Sequence, residues 1–228
     1  MKKQTWLIIF FIVLAVNIAG IKLNNELLQY ISKPLIIPVI LGYFISQTHN
    51  IASDLKKWIV LALFFSWVGD VLLMLQVKKE VFFLLGLCSF LLAHIFYIIF
   101  FHYVRVREKV KGSPWLLLIV VFYYSGLIYM LSPFLADMKI PVRIYGIFIS
   151  FMFLLAMHML FIRNKSAGQW MMAGALLFVI SDSVLAINKF YQSFTLADII
   201  IILTYGLAQL FIVKGAAIYI TSNDKEIV

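Results

Sequence analysis

The chain is laid out as long apolar runs separated by short polar stretches. Eight such runs can be marked, at residues 5–21, 30–45, 58–75, 81–103, 115–131, 142–162, 169–187 and 196–219. A helix that crosses a bilayer needs roughly 20 mainly apolar residues, and each run is close to that length. The pattern predicts an all-α fold: a polytopic membrane protein built as a bundle of eight transmembrane helices, one domain over 1–228, with the lipid bilayer as its surroundings. The first run is too long for a secretion signal and lacks a small-residue cleavage site, so it reads as a span. Lys33-Pro34 sits near the predicted start of the second span, where a first-turn proline loses no needed hydrogen bond. Trp6, Trp58, Trp115 and Trp170 fall near predicted ends, as interfacial aromatics do.

Composition narrows the picture. The chain is 64% hydrophobic and 13% charged, with mean hydropathy +1.03, against about 45–50% and about 25% in soluble domains. A soluble domain, a disulfide scaffold and a disordered chain are excluded, and no room is left for a second globular domain. Cys88 is the single cysteine, so no internal disulfide can form. The net charge of +9 would suggest nucleic acid in a soluble protein. Here the Lys and Arg lie between apolar runs and report topology instead. Twelve fall on the side of the termini and of loops two, four and six, against seven on the other side. That asymmetry places both termini in the cytosol, in a multi-pass protein of a bacterial-type cell membrane. Oligomeric state is not legible.

A weak internal echo links Leu63–Leu73 with Ala175–Leu185, aligning Gly69-Asp70 with Ser181-Asp182. It would imply a four-plus-four duplication, with one aspartate in each half.

Ionisable residues within spans are costly and are functional-site candidates by default. Asp70 and Asp182 are the acidic residues well inside apolar runs; Asp198 is near a span start and could reach the headgroups. Each of the pair lies about five residues from the predicted end of its span, roughly 8 Å below the outer boundary, so the two could meet in one cavity. Alternatively, each pairs separately with a hydroxyl, amide or lysine and merely orders the bundle. Other polar groups gather at the same end: Lys33, Asn188, Lys189, and the serines Ser66, Ser181 and Ser183. Tyr205 and Gln209, one turn apart, share a helix face. Lys33 and Lys189 either snorkel to the interface or capture a phosphate or carboxylate.

Histidines offer little for a metal. His49 is in a loop and His102 is near a span end, while His94 and His158 lie roughly 20 and 24 Å down by residue count, well below the aspartates. There is no HxxxH or HExxH pair and no thiolate cluster. His94 and Tyr97 read better as a buried hydrogen-bonding pair or the floor of a polar cavity. No GxSxG elbow is present, so carboxylate chemistry is the reading left.

Several blocks resemble the YhhN-like lysoplasmalogenase family: Lys33-Pro34; Gly69-Asp70 with the four residues after it; Phe82–Gly86, then Ser89 through Tyr97; Phe178 through Ser181-Asp182-Ser183 to Asn188-Lys189-Phe190; and Thr204-Tyr205 with Gln209. The similarity runs from about Tyr30 to Gly215. It implies hydrolysis of the vinyl ether bond of lysoplasmalogens to a fatty aldehyde and glycerophospho-choline or -ethanolamine, without a cofactor. The family's two aspartates match Asp70 and Asp182. The implied substrate-binding set is Lys33, Ser183, Asn188, Lys189, Tyr205, Gln209, His94 and Tyr97, around a lysophospholipid. Vinyl ether hydrolysis passes through an oxocarbenium ion, as glycosidases do with two carboxyl groups. Two carboxyls in one low-dielectric cavity do not readily both ionise, which keeps one as the acid. Two other classes stay open: a proton-coupled transporter using the same aspartates, and a non-catalytic lipid-binding protein. Transporter sites favour broken helices at matching positions of both halves, but Gly69 is matched by Ser181, and no mid-span proline occurs in the third or seventh run.

The topology is checked by reporter fusions at Asn50, Gly112, Leu135 and Val228. Fusions at Asn50, Gly112 and Val228 should read as cytosolic and that at Leu135 as external; an external Val228 would overturn the assignment.

Overall fold

The protein is described here by a computed structural model covering residues 3–76 and 79–224, with side chains through 222. Lys2, Lys78 and Lys225 of the charge count, and the fusion point Val228, lie outside the described residues. Among the described residues there is no strand, and eight helices are long and apolar enough to cross a membrane. They are α1 (Lys3–Lys22), α2 (Glu26–Thr48), α3 (Lys56–Met74), α4 (Val81–Arg107), α5 (Pro114–Leu131), α6 (Lys139–His158), α7 (Lys165–Ala186) and α8 (Ala197–Asp224). The chain is thus an integral, multi-pass membrane protein.

Helix ends follow local chemistry more than hydropathy. Asn25 caps α2, its side chain accepting from the Leu28 N–H at 3.1 Å, and Asn164 caps α7 in the same way through Ala167. The cap starts α2 four residues before the apolar run does, since polar Glu26 and Gln29 form its first turn. Pro34 is therefore not a first-turn proline: Pro34 and Pro38 both lie inside α2. Pro38 has no N–H, so the Pro34 carbonyl loses its helical donor. The indole N–H of Trp67 on α3 supplies a replacement at 3.0 Å. At the end of α7 the chain does not stop at 187 but winds through a π-helical turn, Ile187–Tyr191.

Each odd helix packs on the even helix that follows it. In addition α2 touches α3 and α8, while α6 touches α7 and α4, so the neighbours of α2 recur for α6 at an offset of four. This is compatible with a duplication and does not by itself establish one. The tightest pair is α7 with α8. A Cβ on Gly174 would fall 2.6 Å from the Ile212 amide nitrogen and 2.7 Å from the Ala208 carbonyl oxygen, and one on Gly215 would fall 2.7 Å from the Ala167 carbonyl oxygen. Without a strong hydrophobic drive between helices in lipid, close backbone approach through small residues supplies much of the association. By contrast α5 buries only Val120 and Leu131, with Phe122 and Tyr129 about 85% exposed on its outer surface. Trp6, Trp58, Trp115 and Trp170 all lie in the first or second turn of odd helices, hence toward the face that carries both described ends of the chain.

Gly174→Val should lower the unfolding temperature in detergent clearly, because the atoms it meets are backbone and cannot turn aside; overpacking of this kind costs about 1–3 kcal/mol or more. Gly126→Ala, where a Cβ meets nothing within 4 Å, is the control and should leave stability unchanged.

Candidate active site

At the face opposite the chain ends, a cavity of about 460 Å³ opens among α1, α2, α3, α4, α6, α7 and α8. Asp70 and Asp182 both line it. Its rim carries the exposed Asn24, Glu26 and Asp198, and its walls mix polar groups such as Asn17, Gln29 and Ser181 with the apolar Phe83, Leu87, Leu185 and Ile201.

Asp70 sits one turn before the end of α3 and is only 2% exposed. The Tyr205 hydroxyl on α8 donates to its Oδ2 at 2.7 Å. That donor is positioned by packing: Gly69 leaves room for the Phe90 ring, which a Cβ would strike at 2.7 Å, and Phe90 meets Tyr205 edge-on at 5.8 Å. The Gly-Asp pair thus brings α3 and α4 together beside the carboxyl. Asp182 on α7 has a matching arrangement, with the Tyr145 hydroxyl of α6 donating to its Oδ2. Each buried carboxyl therefore has one phenolic donor, each from a different helix.

Met74 ends α3 four residues past Asp70, and Ala186 ends α7 four residues past Asp182, before the π-helical turn that runs to Tyr191. The depth expected for His94 does not hold. Residue counting put it well below the aspartates, yet its Nε2 is 3.9 Å from Asp182 Oδ2. Tyr97 is not its hydrogen-bonding partner: the Tyr97 hydroxyl donates to Gln209 Oε1 at 2.5 Å, and Gln209 Nε2 donates to Ser66 Oγ at 2.9 Å. This buried network joins α3, α4 and α8, and neither Tyr97 nor Gln209 lines the cavity.

Of the remaining candidates, Lys33 and Tyr205 line the cavity. Lys33 is half-buried, near enough for its charge to act on Asp70, and makes no ion pair within 4 Å among the described residues. Ser183, Asn188 and Lys189 do not line it. Ser183 pairs with the Tyr123 hydroxyl at 2.8 Å and donates to the Val179 carbonyl. Asn188 Oδ1 accepts the Phe194 N–H at 3.2 Å, closing the turn after α7, and the Lys189 ammonium lies 5.0 Å over the Phe83 ring. His158 is tied at the other face, accepting the Ser113 N–H at Nε2 (3.2 Å) with Nδ1 at the Leu154 carbonyl. Among the described residues no group of three or more His, Cys, Asp or Glu is arranged to hold a metal.

Sequence reasoning missed Tyr145, Asn17 and Gln29 as cavity residues. Tyr145 lies near a span start, where a tyrosine reads as an interfacial aromatic. Asn17 did carry a signal, a polar side chain in an apolar run; it is buried and donates to Ser32 Oγ at 2.8 Å.

Fold and site together define a polytopic membrane protein whose helices enclose two aspartates in one cavity. Comparison with known families then places the molecule: residues 28–216 match the YhhN family, and the chain belongs to it. Two curated relatives, the human and rat proteins named lysoplasmalogenase TMEM86B, are each 33% identical to it over 159 residues, or 68% of this chain. The chain spans about three fifths of their length, 61% and 59% respectively. No solved structure matches the chain significantly.

Gln209→Leu should strand the buried Tyr97 hydroxyl and lower stability by about 1–3 kcal/mol, read by thermal unfolding in detergent. Adding Tyr97→Phe should recover part of the loss, because the stranded donor is then gone.

Proposed function

We propose that this protein is a membrane-embedded lysoplasmalogenase, hydrolysing the vinyl ether bond of a lysophospholipid in the cavity between Asp70 and Asp182. The observation that carries the reading is the pair of aspartates lining one cavity of mixed polar and apolar walls, together with Lys33, which makes no ion pair within 4 Å among the described residues; the names of the two curated relatives support it. One aspartate, as general acid, protonates the β-carbon of the vinyl ether and generates an oxocarbenium ion. The other, as carboxylate, stabilises that cation and takes a proton from the water that adds to it. The resulting hemiacetal collapses to the fatty aldehyde and the glycerophospho-alcohol. This division of labour is the one two carboxyls perform on the similar glycosidase transition state, and it needs no cofactor. Phe83, Leu87, Leu185 and Ile201 offer an apolar wall for a single chain, and Lys33 offers a counter-charge for the phosphate. With both termini cytosolic, as the charge asymmetry suggests, the cavity faces the outer side of a bacterial-type membrane.

Purified protein given a lysoplasmenyl-ethanolamine should release aldehyde, and a chelator should not change the rate. Asp70→Asn and Asp182→Asn should each lower the rate by at least about 10²-fold while the protein still folds, since an Asn carbonyl can still accept from Tyr205 or Tyr145. A folded variant keeping more than about a tenth of the activity would remove that aspartate from the reaction. Absence of aldehyde, together with proton-driven uptake into liposomes, would favour a transporter.

A further inference from the structure

His94 has no assigned task in the reaction as written, yet its placement is unusual. The ring is wholly buried, and among the described residues neither nitrogen has a hydrogen-bond partner of normal geometry, although the Phe90 backbone one turn back on α4 lies near enough to act on the ring. Burying polar groups without partners is costly, so an imidazole kept there calls for a partner that the resting contacts do not supply. Two aromatic rings hold it edge-on, Tyr145 at 5.2 Å and Phe178 at 4.8 Å. Tyr145 is the same residue that donates to Asp182 Oδ2, and Phe178 also packs edge-on against Tyr205, the donor to Asp70. His94 Nε2 faces Asp182 Oδ2 at 3.9 Å, about 1 Å beyond a hydrogen bond.

We propose that His94 is a positioning residue for Asp182, its Nε2 closing onto Oδ2 when substrate fills the cavity. Hydrogen bonds that matter in catalysis are often long in the free enzyme and tighten in the substrate complex. With Tyr145 and His94 both engaging Oδ2, the carboxyl cannot rotate, and Oδ1 is left to face the substrate or the attacking water. The aromatic frame shared by His94, Tyr145, Phe178 and Tyr205 holds the two carboxyls in one fixed relation.

This inference rests on the lysoplasmalogenase reading, and the test separates the two. In the aldehyde assay His94→Phe, which keeps the ring packing and removes both nitrogens, should lower kcat roughly 10–100-fold with KM within about twofold of wild type. His94→Gln, which restores a donor, should recover part of that loss; a merely structural role would not be rescued in this way. If the Phe variant does not fold, His94→Leu takes its place. A kcat near wild type in the folded variant, or a loss confined to KM, would overturn the inference while leaving the proposed activity standing. If the wild type itself releases no aldehyde, the activity assignment fails on its own. The contact is then read from melting temperatures of His94→Phe, Asp182→Asn and the double variant with saturating lysoplasmenyl-ethanolamine, which then stays intact: non-additive shifts support it, and additive shifts overturn it.

Discussion

A carboxyl group taken out of water has to recover hydrogen bonds from the protein, and much of this bundle's interior follows from meeting that demand twice. Asp70 receives the Tyr205 hydroxyl and Asp182 receives the Tyr145 hydroxyl. Neither donor comes from the helix that carries the acid, so four helices have to arrive at one place. Gly69 permits the approach of α4 to α3 through Phe90, and Phe178 separates His94 from Tyr205. A carboxyl facing lipid could find none of this, which is why both acids point inward.

The scaffold beneath the cavity is held by a few buried polar bonds and by close backbone approach. Gln209 joins Tyr97 of α4 to Ser66 of α3, and Ser89 of α4 donates to the Phe65 carbonyl of α3 at 2.6 Å. One residue before Asp182, Ser181 donates to the Ile201 carbonyl at 3.1 Å, fixing α7 against α8 where the cavity begins. These bonds set the axial register of helices that apolar packing alone would allow to slide. Gly174 and Gly215 bring α7 and α8 near enough for the Ser181 bond to form.

The cavity joins two environments. Its rim is polar and its walls offer both polar groups and an apolar strip of Phe83, Leu87, Leu185 and Ile201, which suits a molecule with a charged head and a single hydrocarbon chain. Within the lining, the Lys33 cation stands against the acidic Glu26, Asp70, Asp182 and Asp198. On the proposed reading, a phosphate drawn to Lys33 leaves the chain among Phe83, Leu87 and Leu185, with the bond between them near the two aspartates.

The eight spans and the two intramembrane aspartates were legible in the sequence because both follow from one-dimensional facts: the length of apolar runs, and the cost of an acid inside one. Lys33 and Tyr205 were also legible as polar residues at the correct end. What the sequence could not supply was the path of the chain at helix ends. Asn25 starts α2 early and makes Pro34 an interior proline, and the turn Ile187–Tyr191 prolongs α7. The depth counted for His94 failed, placing it far from Asp182 when the two side chains face each other at 3.9 Å. Asn188 instead closes the turn after α7, Lys189 lies over the Phe83 ring, and Ser183 pairs with Tyr123. Tyr145 had no distinguishing mark among eleven tyrosines. Which hydroxyl meets which carboxyl depends on the rotation and axial offset of neighbouring helices, and those are set only when side chains and glycines pack against one another.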